Sequence, residues 1–219
     1  MNTITAAPRP IAAAAGSTRP PRWPMLASAT YVGVWLVGLA GFGPGPASDA
    51  SAAEVSQYVA EHRSGTAAQS LLIHGVAAVA LLVVLVALRR AGASNRVAHA
   101  AGITGAGISL VQLVLDLWRS VLSSGTTTST LVGTIDRVDG IKMLAFAVMI
   151  AAAVPSMRAA GLIRWRMGLV GRFAAAALVI SGLAYAMSLD GKVATAAVSL
   201  VLLLGWVGFS GVAAGRRLR

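Results

Sequence analysis

The sequence predicts an all-α, polytopic transmembrane bundle of about six spans, with N-terminus and C-terminus both cytoplasmic, and three observations carry that prediction. Apolar residues make up 57% of the 219-residue chain and charged residues only 11%, against about 45–50% and about 25% in a soluble domain. Apolar runs recur at about 25–42, 70–88, 97–122, 138–154, 168–189 and 193–214, and about 20 such residues cross a hydrocarbon core. The charges between these runs are sorted by sign. Together the runs use most of the chain and leave no sizeable soluble domain.

Residues 1–24 hold Pro8, Pro10, Pro20, Pro21 and Pro24 among alanines, with Arg9, Arg19 and Arg22 and no acid, and read as a disordered basic cytoplasmic tail. The bundle then occupies 25–219. Its first run follows these arginines as a signal core would, but is longer than the usual 7–15 residues of one. It is read as an uncleaved span; Ala50-Ser51-Ala52 leaves cleavage as the alternative, with five spans in the same orientation. Gly43-Pro44-Gly45-Pro46 breaks the helix. Ser51-Ala-Ala-Glu54 then fits a capping box opening a loop helix over about 52–63. Val55, Tyr58, Val59 and His62 share one face of it, suited to the membrane surface, to the tops of the spans or to a lid.

The second span ends in Arg89-Arg90, and the third leads into a Ser/Thr-rich loop, Ser123 to Thr130. Thr134-Ile-Asp136-Arg137-Val-Asp139-Gly-Ile-Lys142 opens the fourth, which should stop near Val154-Pro155, and Asp190-Gly191-Lys192 makes a tight turn between the fifth and sixth. The positive-inside rule sets the orientation. Thirteen of the 18 basic residues fall on the side of the N-terminus: Arg9, Arg19, Arg22, Arg89, Arg90, Arg96, Arg158, Arg164, Arg166, Arg172, Arg216, Arg217 and Arg219. Only Arg63, Arg137 and Lys192 fall in outer loops, and every acid lies there or in the outer half of a span. The net charge of +11 is thus a topology signal and argues against nucleic acid as a partner. Alanine is abundant and Lys142 and Lys192 are the only lysines, as in high-GC bacterial genomes, so the expected location is a bacterial plasma membrane.

Three segments carry a resemblance: the first span ending in Gly43-Pro44-Gly45-Pro46, the outer stretch Ala53-Glu54-Val-Ser-Gln-Tyr58-Val-Ala-Glu61-His62-Arg63, and the fourth-span start Arg137-Val-Asp139-Gly140-Ile-Lys142-Met143-Leu144. In these the chain resembles a group of uncharacterised six-span integral membrane proteins of high-GC Gram-positive bacteria. The resemblance implies the architecture and supplies no activity or site.

Chemistry concentrates in the third span. Gly102, Gly105, Ser109, Gln112, Asp116, Arg119 and Ser123 alternate at spacings of three and four, which places them on one helix face. Such a stripe must face protein or a water-filled cavity, which points to the third span as the centre of the bundle. Antiparallel neighbours bring Asp116, Arg119, Asp139 and Lys142 together in the outer half, and the expected pairs are Asp116 with Lys142 and Arg119 with Asp139 or Asp136. Two readings follow. Either the cluster fixes helix register, or Gln112, Asp116 and Arg119 line an outward-open pocket of a small-solute or proton-coupled transporter. His74, about one turn inside the second span, would join that pocket and offers a proton carrier; Tyr185 and Asp190 reach the same level.

Gly211-Val-Ala-Ala-Gly215 matches the GxxxG pattern, continued by Gly205 and Gly208, and predicts close helix approach or a homo-oligomer. Gly208-Phe-Ser210-Gly211 matches the GxSG of rhomboid proteases and Trp118-Arg119 their Trp-Arg pair, but an activating histidine must follow that serine. His62, His74 and His99 all precede Ser210. With no cysteine, no metal-ligand cluster, no phosphate loop and no nucleotide fingerprint, no catalytic residue, metal or cofactor is assigned. The expected role is a non-catalytic membrane component, with the lipid bilayer and protein partners as its contacts.

Overall fold

The computed structural model describes residues 22–42, 50–121, 125–189 and 191–218. The tail at 1–21, the Gly43-Pro44-Gly45-Pro46 break, Ser123 and Asp190 lie outside the described residues. The rest forms helices and no strand: α1 Trp23–Ala40, α2 Ala52–Glu61, α3 Arg63–Arg90, α4 Arg96–Val121, α5 Gly125–Ala159, α6 Trp165–Ala186 and α7 Lys192–Arg217. All but α2 are long and apolar enough to cross a membrane. The chain has the build of a six-span membrane protein.

Several boundaries move for local reasons. Pro155 does not end the fourth span; α5 carries it with the ring exposed and continues to Ala159. The stop is Gly161, at φ +70°, where Gly161 N–H donates to the Arg158 carbonyl and Leu162 N–H to that of Met157, closing the helix in a left-handed cap. The expected Ser/Thr loop is helical from Gly125, so α5 starts well before residue 138. Here tertiary contact overrides weak propensity, because α2 packs on this end of α5. The capping box forms as expected: Ser51 N–H donates to Glu54 Oε2 at 2.7 Å and Glu54 N–H to Ser51 Oγ at 3.3 Å. From it α2 runs with Val59 buried, and the chain turns at His62 straight into α3. Over Leu71–Val76, α3 widens into a π-helical segment.

The spans alternate in direction and close a ring: α1, α3, α4, α5, α6 and α7 each pack on the next, α7 returns to α1, and α3 also touches α7. Arg89, Arg90, Arg158, Arg216 and Arg217 mark a basic end. Asp116, Asp136 and Asp139 lie toward the opposite, acidic end. The third span is not the centre. In its most apolar window α4 is 28% buried, against 56% for α3, because the alanines Ala77, Ala78, Ala80 and Ala87 let neighbours close around α3. The stripe on α4 still faces protein: Gly102, Gly105, Ser109 and Gln112 are buried. A Cβ on Gly105 would lie 2.2 Å from the Phe146 ring, so this part of the stripe is filled by the α5 side chain.

At the basic end, Gly211 sits where a Cβ would lie 2.4 Å from Ser28 Cβ, and Gly215 lies beside Met25. The close approach predicted from the GxxxG pattern is therefore made with α1 of the same chain, on the face to which the homo-oligomer was assigned. Gly205 is not part of it; the space around it is open.

Candidate functional site

The polar side chains of α3, α4 and α5 meet in the acidic half. Ser70 and His74 stand four residues apart where α3 enters its π-helical segment, and both turn toward α4. Ser70 Oγ donates to Asp116 Oδ2 at 2.8 Å. His74 Nε2 lies 3.6 Å from the same oxygen, a contact too long for a hydrogen bond. Its Nδ1 is buried without a hydrogen-bond partner. Arg119 closes this group, with Nη2 3.1 Å from Asp116 Oδ1.

A second group lies deeper. Gln112 Nε2 donates to Asp139 Oδ1 at 2.9 Å, Lys142 Nζ donates to Gln112 Oε1 at 2.6 Å, and Lys142 is ion-paired with Asp139. The charges on either side fix the amide's orientation: its NH₂ faces the carboxylate and its oxygen the ammonium. With a 1.5 Å rise per residue, Gln112 lies only about 5 Å from the midpoint of α4, and Lys142 lies at the midpoint of α5. Isolated charges at such depth cost about 2.5–3.5 kcal/mol each on insertion scales. Here they are paired, and Lys142 and Gln112 are 4% and 1% exposed. Nearer the acidic end, Lys192 Nζ of α7 reaches Asp136 Oδ2 of α5 at 2.5 Å and lies 5.5 Å from the Tyr185 ring of α6.

The six expected residues thus come together, but not in the expected pairs. Asp116 takes Arg119 rather than Lys142, Lys142 takes Asp139, and Asp136 takes Lys192. Two of these are i,i+3 pairs, whose members the helix already holds as neighbours. Between α3, α4 and α5 neutral groups are left to make the bonds: Ser70 joins α3 to α4, and Gln112 joins α4 to α5. Ser70 and Lys192 were not singled out from the sequence. The four-residue spacing of Ser70 and His74 was the available signal for the first; nothing local announces the second.

Beside the deeper group, on the inner side of α5, a cavity of about 310 Å³ lies between α1, α5, α6 and α7, with Asp139, Lys142 and Tyr185 in its wall. Ser210, the GxSG serine, is buried with its Oγ unbonded, and the small space next to it is lined by apolar side chains and Ser94. Among the described residues no three histidine or acidic side chains gather as a metal site. No family model, curated protein or solved structure matches the chain.

Proposed function

We propose that the chain is a non-catalytic, multi-spanning component of a bacterial plasma membrane, with both termini and the basic end in the cytoplasm, and that its polar network ties the outer halves of α3, α4 and α5 together. The observation that supports this reading is charge balance. Asp116, Asp136 and Asp139 meet Arg119, Lys192 and Lys142 one for one, each held by a partner inside the bundle. A network without net charge, bridged by an amide, stabilises a register and leaves no free charge to capture an ion. Its action runs through protein partners or a second copy of the chain, on a face other than that of Gly211 and Gly215.

The transporter reading, with an outward-facing polar site on the third and fourth spans, draws on one observation: the cavity reaches Asp139 and Lys142. Against it, the α4 stripe is packed rather than open. Because the chain has no cysteine, single cysteines at Ala53, Ser109 and Ala159 separate the readings with a membrane-impermeant maleimide, which reacts only with a thiolate in water. The expected pattern on intact cells is labelling at position 53, silence at 109, and labelling at 159 only after permeabilisation. Labelling of position 109 from outside would overturn the structural role of the stripe in favour of transport. Exchange of the 53 and 159 results would overturn the topology.

A further inference from the structure

The cavity between α1 and α7 has a polarity gradient that the network does not explain. Near the basic end, Gly211 and Gly215 draw α1 and α7 into contact; toward the acidic end Leu200 and Leu203 of α7 and Trp35 of α1 line the space. The Lys192–Asp136 pair sets the depth. In parallel helices rising 1.5 Å per residue, as α5 and α7 are, Asp139 and Lys142 fall level with about 195 and 198 of α7, and Phe146 with about 202. The polar part of the wall therefore lies toward the acidic end, and the lining continues through Phe146, Leu178 and Leu203 to about 10 Å deeper. Leu39, near the end of α1, and Val193, at the start of α7, also line it and are 48% and 52% exposed, so the mouth opens between α1 and α7 toward the acidic end.

This gradient runs as a membrane leaflet does, charged toward one end and, toward the middle, apolar but for Ser199 and the Trp35 indole, whose Nε1 is buried without a hydrogen-bond partner. The bonds described engage Oδ1 of Asp139 and two of the three N–H groups of Lys142, leaving one N–H donor and Oδ2 for a ligand. The wall itself carries no net charge, so an ionised head would enter desolvated and without a counter-charge. A volume of about 310 Å³ is at the lower end of the range of small-molecule sites. We infer that this cavity binds a neutral, single-chain amphiphile taken from the bilayer, with a hydroxyl or carbonyl head on Lys142 and Asp139 and its chain running toward Phe146 and Leu203. The inference is separable from the reading of the network as a structural tie, because its test follows a ligand in the cavity and not the accessibility of the α4 stripe.

The test uses the full chain, purified in phosphatidylcholine nanodiscs, and a decanol carrying a photoactivatable diazirine near its chain end. Illumination should cross-link peptides of α1 and α7 around Trp35 and Leu200 and be competed by unlabelled decanol. Decanoate and decylammonium should compete at least about ten-fold less well. Ala196→Phe, which projects a ring into the cavity, should abolish the competed fraction, whereas Val201→Phe on the exposed face of α7 should not; Ala197→Phe substitutes if the first variant does not fold. Cross-links spread over all spans and insensitive to competitor would overturn the site. Equal or better competition by either ionised head would overturn the assignment of a neutral ligand.

Discussion

Close packing through small residues runs through both halves of the bundle, but only the acidic half adds polar ties between its spans to it. In the basic half, backbones meet through small residues: Gly211 on Ser28, Gly171 between Val154 and Trp206, Gly102 on Leu85 and Met149. There, association rests on close van der Waals packing. In the acidic half, α5 and α6 still meet backbone to backbone at Gly140 and Gly182, but Gln112, Ser70 and the Lys192–Asp136 pair join the helices besides, and beside them the packing opens into a cavity. Such polar ties are costly unless fully partnered, and here each charge has its partner.

The sharpest way to break this contrast is to strand a charge. Lys142→Met leaves Asp139 buried without its cation, and a loss of about 3–5 kcal/mol is expected in unfolding by SDS in mixed micelles. Adding Asp139→Leu to it should recover most of that loss. Gln112→Leu removes both inter-helix bonds of the deeper group while keeping the ion pair, and should cost about 2 kcal/mol in the same assay. In the basic half no charge is at stake, and volume decides instead. Gly211→Leu meets Ser28 and the Pro24 carbonyl and should cost about 1–3 kcal/mol. Gly205→Leu faces open space and should stay within about 0.5 kcal/mol.

The smallest effect is one of pH and lies outside the spans. The Ser51 backbone N–H holds the Glu54 carboxyl below its ordinary value of 4.5. A depressed carboxyl contributes helix stability that is fully present above that value and is lost as pH falls through the lower folded value. Hydrogen-exchange protection of the Glu54 and Val55 amides should fall slightly in acid, and in an Ser51→Ala variant it should already be low at neutral pH.

Much of this was legible in the chain. The apolar runs located the six long helices, the three-and-four spacing found the buried face of α4, and Ser51 with Glu54 gave the cap of α2. What escaped depended on more than one helix at a time. The stripe revealed which face of α4 is buried but not how many neighbours α4 has, and a helix at the edge of a ring also needs one polar face covered. Asp116 and Lys142 looked like partners because both were alone at similar depth, yet each had an opposite charge three residues away on its own helix. Gly205 fitted the small-residue pattern, but its spacing from Gly208 and Gly211 turns it off their face. The cavity was not legible, since its wall is assembled from four helices.

The network's pairing is the central claim, and a pair of double-mutant cycles tests it most directly. The cycle on Asp139 and Lys142 should give a coupling of about 1–3 kcal/mol, and the cycle on Asp116 and Lys142 less than about 0.5 kcal/mol. Charge exchange within the first pair, Asp139→Lys with Lys142→Asp, should unfold later than either single variant, because the Gln112 amide can turn over to match. Strong coupling between Asp116 and Lys142, with little between Asp139 and Lys142, would contradict the pairing described and with it the neutral tie between α4 and α5.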